Sequence, residues 1–261
     1  VKVGVIGVGV VGGACKFGFE LLGHDVVAHD IRLDTKISDV LGCKVVFICV
    51  PTPSDAHGAC DVSIVSEVVR ELQEHHYSGI VAIKSTVVPG TSDMLAEETG
   101  LNVCFVPEFL RERCAVADFT EKHDVCIIGT ADPDTYETIK ECHGHYPEKF
   151  VMLKPREAEF CKYFNNVYNA TLIIFANSFY EVCKANGVDY TRVKNAVINR
   201  EHIKGNYLEC NDNFRGFGGM CLPKDVAAMA KLAQITDVSF FDDLLEENAK
   251  YKTTVFKGMR K

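Results

Sequence analysis

The chain has no tryptophan, only eight prolines in 261 residues and, despite twelve cysteines, no C-x-x-C pair. The missing pair excludes the usual zinc ribbons and fingers, whose ligands come in short spacings, and no metal site is expected. Cys142-His143-Gly144-His145 reads instead as a helix end ahead of Tyr146-Pro147. A disulfide scaffold is equally absent, because Cys49, Cys104 and Cys126 sit inside apolar runs. Buried thiols in a reducing compartment follow, and with them a cytoplasmic location. No apolar run approaches the ~20 residues of a membrane-spanning helix. Val1 already reads as strand, so no leader is expected before it. Positive charge is also short: 28 Lys and Arg stand against 36 Asp and Glu, a formal charge of −8. That balance argues against nucleic acid or an anionic membrane as partner. Internal repeats and low-complexity linkers are missing too. What remains is an ordinary globular composition, 47% apolar and 25% charged, long enough for one large or two modest domains.

The first 154 residues alternate short β-branched runs with helical stretches. Val1–Ile6, Asp25–His29, Lys44–Val50, Ile80–Lys84, Val103–Val106, Asp124–Ile128 and Phe150–Leu153 read as strands. Val10–Leu22, Asp61–His75, Thr91–Glu98 and Pro133–His143 read as the helices between them. Continuous apolar strands alternating with helices predict an α/β fold, a Rossmann-like doubly wound parallel sheet. The pattern changes after Lys154-Pro155. From Arg156 to Asn186 there is no proline, glycine or turn cluster, which predicts a helix of about 45 Å closed by Gly187. Further helices are expected at Tyr190–Asn199, Val226–Gln234 and Asp242–Lys257. The reading is therefore an NAD-binding domain over 1–154 and an all-helical domain over 155–261, joined through a long interdomain helix.

Gly7-Val8-Gly9-Val10-Val11-Gly12 follows the first strand and opens the first helix, the context a dinucleotide fingerprint requires. Gly7 permits the tight turn, Gly9 lets backbone approach a pyrophosphate, and Gly12 lets helix pack on strand. The helix start offers its N–H groups to phosphate. Asp30 ends the second strand 18 residues after Gly12, where a carboxylate accepts ribose hydroxyls and repels a 2′-phosphate. NAD is thus the expected cofactor, a preference that the nearby Arg32 tempers. At the other end, Gly216-Phe217-Gly218-Gly219-Met220-Cys221-Leu222-Pro223-Lys224-Asp225 sets one cysteine among glycines with a lysine and an aspartate close behind. A thiolate nucleophile needs backbone room, a cation and a group that handles protons. Lys162 and Asn166 are four apart and share one helix face. Glu108 and Glu112 follow a strand end, where α/β sites collect.

These stretches, together with Val50-Pro51-Thr52-Pro53, Lys84-Ser85-Thr86-Val87-Val88-Pro89-Gly90-Thr91 and Pro107-Glu108-Phe109-Leu110-Arg111-Glu112, occur in one order along nearly the whole chain. In that order they resemble the UDP-glucose/GDP-mannose dehydrogenase family. The resemblance implies NAD-dependent oxidation of a nucleotide sugar's C6 alcohol to the uronic acid, with UDP-glucose the expected substrate. It makes Cys221 the nucleophile that traps the aldehyde as a thiohemiacetal and carries the later thioester. It assigns Lys162 and Asn166 to the oxyanion and the substrate hydroxyl, Glu108 to hydrolysis, and Thr86 and Asp225 to the water. Cofactor contacts are implied for Val8, Val10 and Val11 within the fingerprint, and for Thr52, Thr86, Glu112 and Lys224. Sugar contacts are implied for Phe109 and Leu110 beside Glu108, and for Tyr207, Leu208, Gly216, Phe217 and Gly218 in the loop before the cysteine. A homodimer through the helical domain is implied as well.

The chain also departs from the pattern. Only 40 residues follow Cys221, where the family carries a further domain that grips the nucleotide, so less remote binding energy is expected here. His202 stands where the family arginine reaches a neighbouring subunit's sugar site, and an imidazole does not replace a guanidinium fork. His123-Asp124-Val125 replaces a Pro-Asp-Arg element, and the connection from Asp30 to Lys44 is short. Two other readings stay open. A β-hydroxyacid dehydrogenase-like enzyme would share the fingerprint, the long helix and the lysine–asparagine pair without needing the cysteine. An NAD-binding assembly subunit would bind cofactor without turnover.

Overall fold

The computed structural model describes residues 1–55 and 58–251. The chain packs as two compact units. The first holds Val1–Asp55 and Cys60–Lys162, and the second runs from Tyr163 onward with Gly58 and Ala59.

In the first unit seven strands form one sheet: β1 (Lys2–Ile6), β2 (Asp25–His29), β3 (Val45–Ile48), β4 (Ile80–Ile83), β5 (Asn102–Phe105), β6 (Val125–Gly129) and β7 (Lys149–Leu153), in the order β2-β1-β3-β4-β5-β6-β7. All four residues of β3 and of β4 are buried, as expected for strands covered on both faces. On one face α1 (Val10–Leu21) sets Cys15 and Phe19 against Phe47 and Ala82; on the other α2 (Ser63–Glu74) sets Val65, Val69 and Leu72 against Val46 and Ile83. The spacing of 65, 69 and 72 is one helix stripe. α3 (Thr91–Thr99), α4 (Ala115–Thr120) and α5 (Pro133–His143) complete the layers. α5 starts on a strong signal, since the Asp132 carboxylate accepts the N–H groups of Asp134 and Thr135 and Pro133 takes the first helical position. Between β2 and β3 the chain has only a 3₁₀ turn, Ile37–Val40.

The sheet is not wholly parallel, which corrects the sequence reading. β1 to β5 run parallel, but β6 meets β5 antiparallel at Phe105 and Gly129, and β7 follows β6 in parallel. The connection from β5 to β6 holds a 3₁₀ turn, Glu112–Cys114, and the six-residue α4. The sequence reading had no element there.

The second unit is helical. α6 (Pro155–Ala185) is unbroken for 31 residues, with its first eight residues in the first unit. α7 (Tyr190–Val197) is capped by the Asp189 carboxylate, and α8 (Leu222–Ala233) and α9 (Phe240–Ala249) pack on each other. α8 starts four residues before the sequence reading placed it. Pro223 lies in its first turn, where a proline lacks only an N–H that has no helical partner anyway. The last helix was expected over 242–257; it ends at Ala249, and positions 252–257 lie outside the described residues. No helix among the described residues is long and apolar enough to cross a membrane.

Two histidines of the first unit are neutral by construction. His143 is fully buried against Phe19, Phe47 and Phe119; its Nδ1 donates to the Ile139 carbonyl and its Nε2 has no partner. Burial first, then the Lys84 charge, hold its pKa well below the ordinary value. The same causes lower that of His123 to about 4. The unfolded chain takes these protons near pH 6.5 and the folded chain does not, so stability is full above about 6.5 and lost as pH falls toward 4. The slope is about 1.4 kcal/mol per pH unit for each histidine. Urea unfolding between pH 7.5 and 5 is expected to show this loss, and a smaller one in His143→Phe. Equal losses in both proteins would contradict the assignment.

Candidate functional site

In the first unit the fingerprint lies where the chain turns from β1 into α1, and β1 separates β2 from β3. Strand order reverses there, which opens a crevice at the strand ends. Gly7 adopts φ +87, and a Cβ on it would stand 2.8 Å from the Cys49 carbonyl oxygen. A Cβ on Gly12 would stand 1.9 Å from the Gly7 oxygen, whereas one on Gly9 would meet nothing within 4 Å. The turn is therefore closed on the protein side and open at Gly9, as approach of a pyrophosphate demands. Val10 and Val11 begin the helix, Val10 exposed and Val11 partly so. Asp30 is buried. Its Oδ2 accepts the Val8 N–H at 2.7 Å, and Arg32 forks onto both oxygens. The Arg32 hydrogen bonds, opposed by burial, hold its carboxyl well below the usual range. These residues fit a dinucleotide.

Two more elements of this unit carry expected residues. Thr52 is buried after β3, and Thr86 follows β4 with its carbonyl accepting the Cys60 thiol. Glu108 follows β5. Lys162 of α6 donates to its backbone carbonyl at 2.6 Å and to Oε1 at 2.8 Å, while Oε2 accepts the Leu110 N–H. The pair is nearly dry, at 4% and 11% side-chain exposure. A buried ion pair needs such full partnering to offset desolvation. The Phe109 ring lies 5.9 Å from the lysine nitrogen. Glu112, by contrast, stands exposed on its 3₁₀ turn.

In the second unit Cys221 is the N-cap of α8 and Asp225 lies one turn on, its N–H donating to the Cys221 carbonyl. None of the twelve cysteines is in a disulfide, and Cys221 alone is exposed. Asp225 is fully buried. Its Oδ1 accepts Lys224 Nζ at 2.6 Å and its Oδ2 accepts Asn166 Nδ2 at 2.5 Å. A nucleophile candidate, a cation and a fixed carboxylate thus share one helix start.

In the loop before the cysteine, Gly216 donates to Asn177 Oδ1 at 3.2 Å and Phe217 to Asn248 Oδ1 at 2.7 Å, so these two N–H groups are taken up within the protein. Phe217 is buried, and its carbonyl accepts Asn248 Nδ2. Leu208 is likewise committed: its N–H reaches the Gly205 carbonyl and its own carbonyl accepts the Tyr190 hydroxyl. Tyr207 is held at φ +65, a left-handed conformation rare outside glycine. Gly218 and Gly219 remain the more open part of the loop.

The sequence reading missed the residues that fix these loops. Asn177 and Asn248 hold 216 and 217. Arg215 is buried, donates to the Asn211 carbonyl, pairs with Glu181 and lies 4.2 Å from the Tyr180 ring. Glu159, fully buried, accepts the N–H groups of Gly90 and Ser92 at the start of α3. A signal existed: Glu159 and Asn177 lie at helical spacings from Lys162 and Asn166, on a helix whose other buried residues are apolar or aromatic.

Comparison with known proteins matches this geometry to one family. The NAD-binding-domain model of the UDP-glucose/GDP-mannose dehydrogenase family matches residues 31–146, and its central-domain model matches 156–250. UDP-glucose 6-dehydrogenase YwqF of Bacillus subtilis is 32% identical over 82% of this chain and 50% of its own length. GDP-mannose 6-dehydrogenase of Pseudomonas aeruginosa is 28% identical over 91% of this chain and 65% of its own. The solved UDP-glucose dehydrogenase of Pyrobaculum islandicum superposes with TM-score 0.87 at 28% identity, covering 97% of this chain and 68% of that one. The chain thus spans half to two thirds of the length of these curated relatives. With both family domains matched in order over a fold of the same kind, the chain belongs to the UDP-glucose/GDP-mannose dehydrogenase family and carries its NAD-binding and central domains.

Proposed function

We propose that the chain catalyses the NAD-dependent, two-step oxidation of a nucleotide sugar's C6 alcohol to the uronic acid, UDP-glucose to UDP-glucuronate, with residues 1–154 holding NAD and 155–261 supplying the nucleophile. The observation that carries this reading is Cys221: the one exposed thiol among buried or partly buried ones, at a helix start, one turn from a buried aspartate with two partners. A smaller hydroxyacid needs no such cysteine.

Two NAD molecules, held one after the other by the Gly7–Gly12 turn and Asp30, would each accept one hydride. Lys162, fixed by Glu108, places positive charge beside the C6 oxygen as the alcohol gives its proton to a water. The Cys221 sulfur adds to the aldehyde carbon; a C–S bond forms and the carbonyl oxygen takes a proton, which gives the thiohemiacetal. The N–H groups of the first turn of α8 favour negative charge on the attacking sulfur. Loss of hydride and proton from that adduct leaves a thioester. Two oxidations at one carbon need this anchor, or the aldehyde escapes. Asp225, held by Asn166 and Lys224, takes a proton from water as the oxygen adds to the thioester carbon. Glu108 and Thr86 help to place that water. The C–S bond then breaks, the sulfur is returned and the carboxylate leaves.

The exposed aromatic stripe on α6, Phe164, Tyr168, Phe175 and Phe179, supports a homodimer as part of this reading. Phe164 is 77% exposed, and residues at spacings of four and seven form one continuous helix face.

Purified protein with UDP-glucose is expected to release two NADH per uronate, and Cys221→Ser to lower turnover by on the order of 10³. One NADH per product, or uronate made by Cys221→Ser at the wild-type rate, overturns the covalent route. Sedimentation is expected to show a dimer for the wild type and a monomer for Phe164→Glu; a monomeric wild type removes the dimer from the reading.

A further inference from the structure

The Asp30 carboxylate offers about four lone-pair positions, and the structure fills four. Oδ1 accepts the Arg32 backbone N–H at 2.9 Å and Arg32 Nε at 2.8 Å; Oδ2 accepts the Val8 N–H at 2.7 Å and Arg32 Nη2 at 2.9 Å. Two of these donors belong to backbone that the fingerprint turn and the end of β2 hold in place. The other two belong to one guanidinium, which also reaches the Val8 carbonyl at 3.2 Å. Asp30 has 7% side-chain exposure and Arg32 has 68%, so the acceptor is fixed and only the arginine can leave.

A ribose diol brings two hydroxyl donors to this carboxylate, one for each oxygen. With the backbone donors in place, each oxygen has one position left, and the guanidinium fork fills both. We infer that Arg32 occupies the adenosine-ribose diol subsite of this chain, competes there with NAD, and serves as the partner of a 2′-phosphate, so that the chain binds NADP as well as NAD. The inference rests on NAD binding at the fingerprint and on nothing about the sugar.

The two consequences pull in opposite directions. An unphosphorylated ribose reaches Asp30 only by displacing two charge-assisted hydrogen bonds, so Arg32 weakens NAD binding. A 2′-phosphate next to bare Asp30 meets like charge. With the guanidinium between them, it meets a planar donor that pairs well with phosphate. Arg32 thereby narrows the gap that Asp30 alone opens between the two cofactors.

Calorimetry on the purified chain without sugar, with NAD and NADP in turn, tests this. Wild type is expected to bind both. Arg32→Ala, a change on an exposed side chain, is expected to tighten NAD by threefold or more and weaken NADP by tenfold or more. Arg32→Lys keeps the charge and loses the fork, and is expected to tighten NAD while holding NADP within about threefold of wild type. Raising salt is expected to weaken wild-type NADP binding more than NAD binding. A wild type that binds NAD and not NADP overturns the inference. So does an Arg32→Ala protein whose NADP-to-NAD ratio of Kd stays within threefold of wild type, or whose NAD binding weakens. A wild type that binds neither cofactor overturns this inference and the NAD reading together. The expected binding pattern with no turnover on any nucleotide sugar overturns only the proposed reaction.

Discussion

Four polar side chains buried on one unbroken helix govern the loops that matter in this molecule. Glu159, Lys162, Asn166 and Asn177 of α6 are 0, 3, 6 and 0% exposed. A buried polar group without a partner costs several kcal/mol, and a charged one more. Each therefore demands a specific partner and finds it within its own unit, in a loop, at a helix start or, for Asn166, on α8. Glu159 takes the N–H groups that open α3, Lys162 takes the loop after β5, Asn166 takes Asp225, and Asn177 takes Gly216. The helix is long because nothing interrupts it, and its register is set because slipping it would orphan all four groups.

The same demand shapes the chemistry. Asp225 is fully buried, and Asn166 and Lys224 each hold one of its carboxylate oxygens. Cys221 opens the same helix from the exposed side. Glu108 is fixed at three atoms, its carbonyl and both carboxylate oxygens. Groups fixed this firmly lose little freedom when a substrate arrives, which is what orientation at a reacting carbon requires. The glycine loop follows the other half of that logic: Gly216 and Phe217 are held by Asn177 and Asn248, and Gly218 and Gly219 are the more open part of the backbone.

Much of the fold was legible because each local signal had a single physical reading. Val10 to Leu21 opens on Gly7-x-Gly9-x-x-Gly12, α5 opens on Asp132-Pro133, and β3 and β4 are unbroken apolar runs. The reversed β6 and β7 were not legible, since a strand's direction is written in its connection and not in its own residues. α4 was missed because six residues carry too little periodicity to register. Among the candidate site residues, Cys221 stood out by its glycine-rich setting, whereas Lys162, Asn166, Glu108 and Asp225 were legible only through the family order of their motifs. Asn248, Arg215 and Glu159 did not, because an isolated polar residue is normally solvated, and only packing shows that it is not.

The sequence alone determined the layers, the glycine fingerprint, the long helix and the place of the lone cysteine among glycines. These follow from periodicity, φ freedom and side-chain chemistry, all of which act over a few residues. Tertiary structure alone decided which donors each carboxylate receives: Arg32 on Asp30, Lys162 on Glu108, Asn166 on Asp225. The last two pairs join residues more than fifty positions apart, and their strength depends on how much water is excluded around them. Water exclusion is a property of the packed chain, and no stretch of sequence carries it.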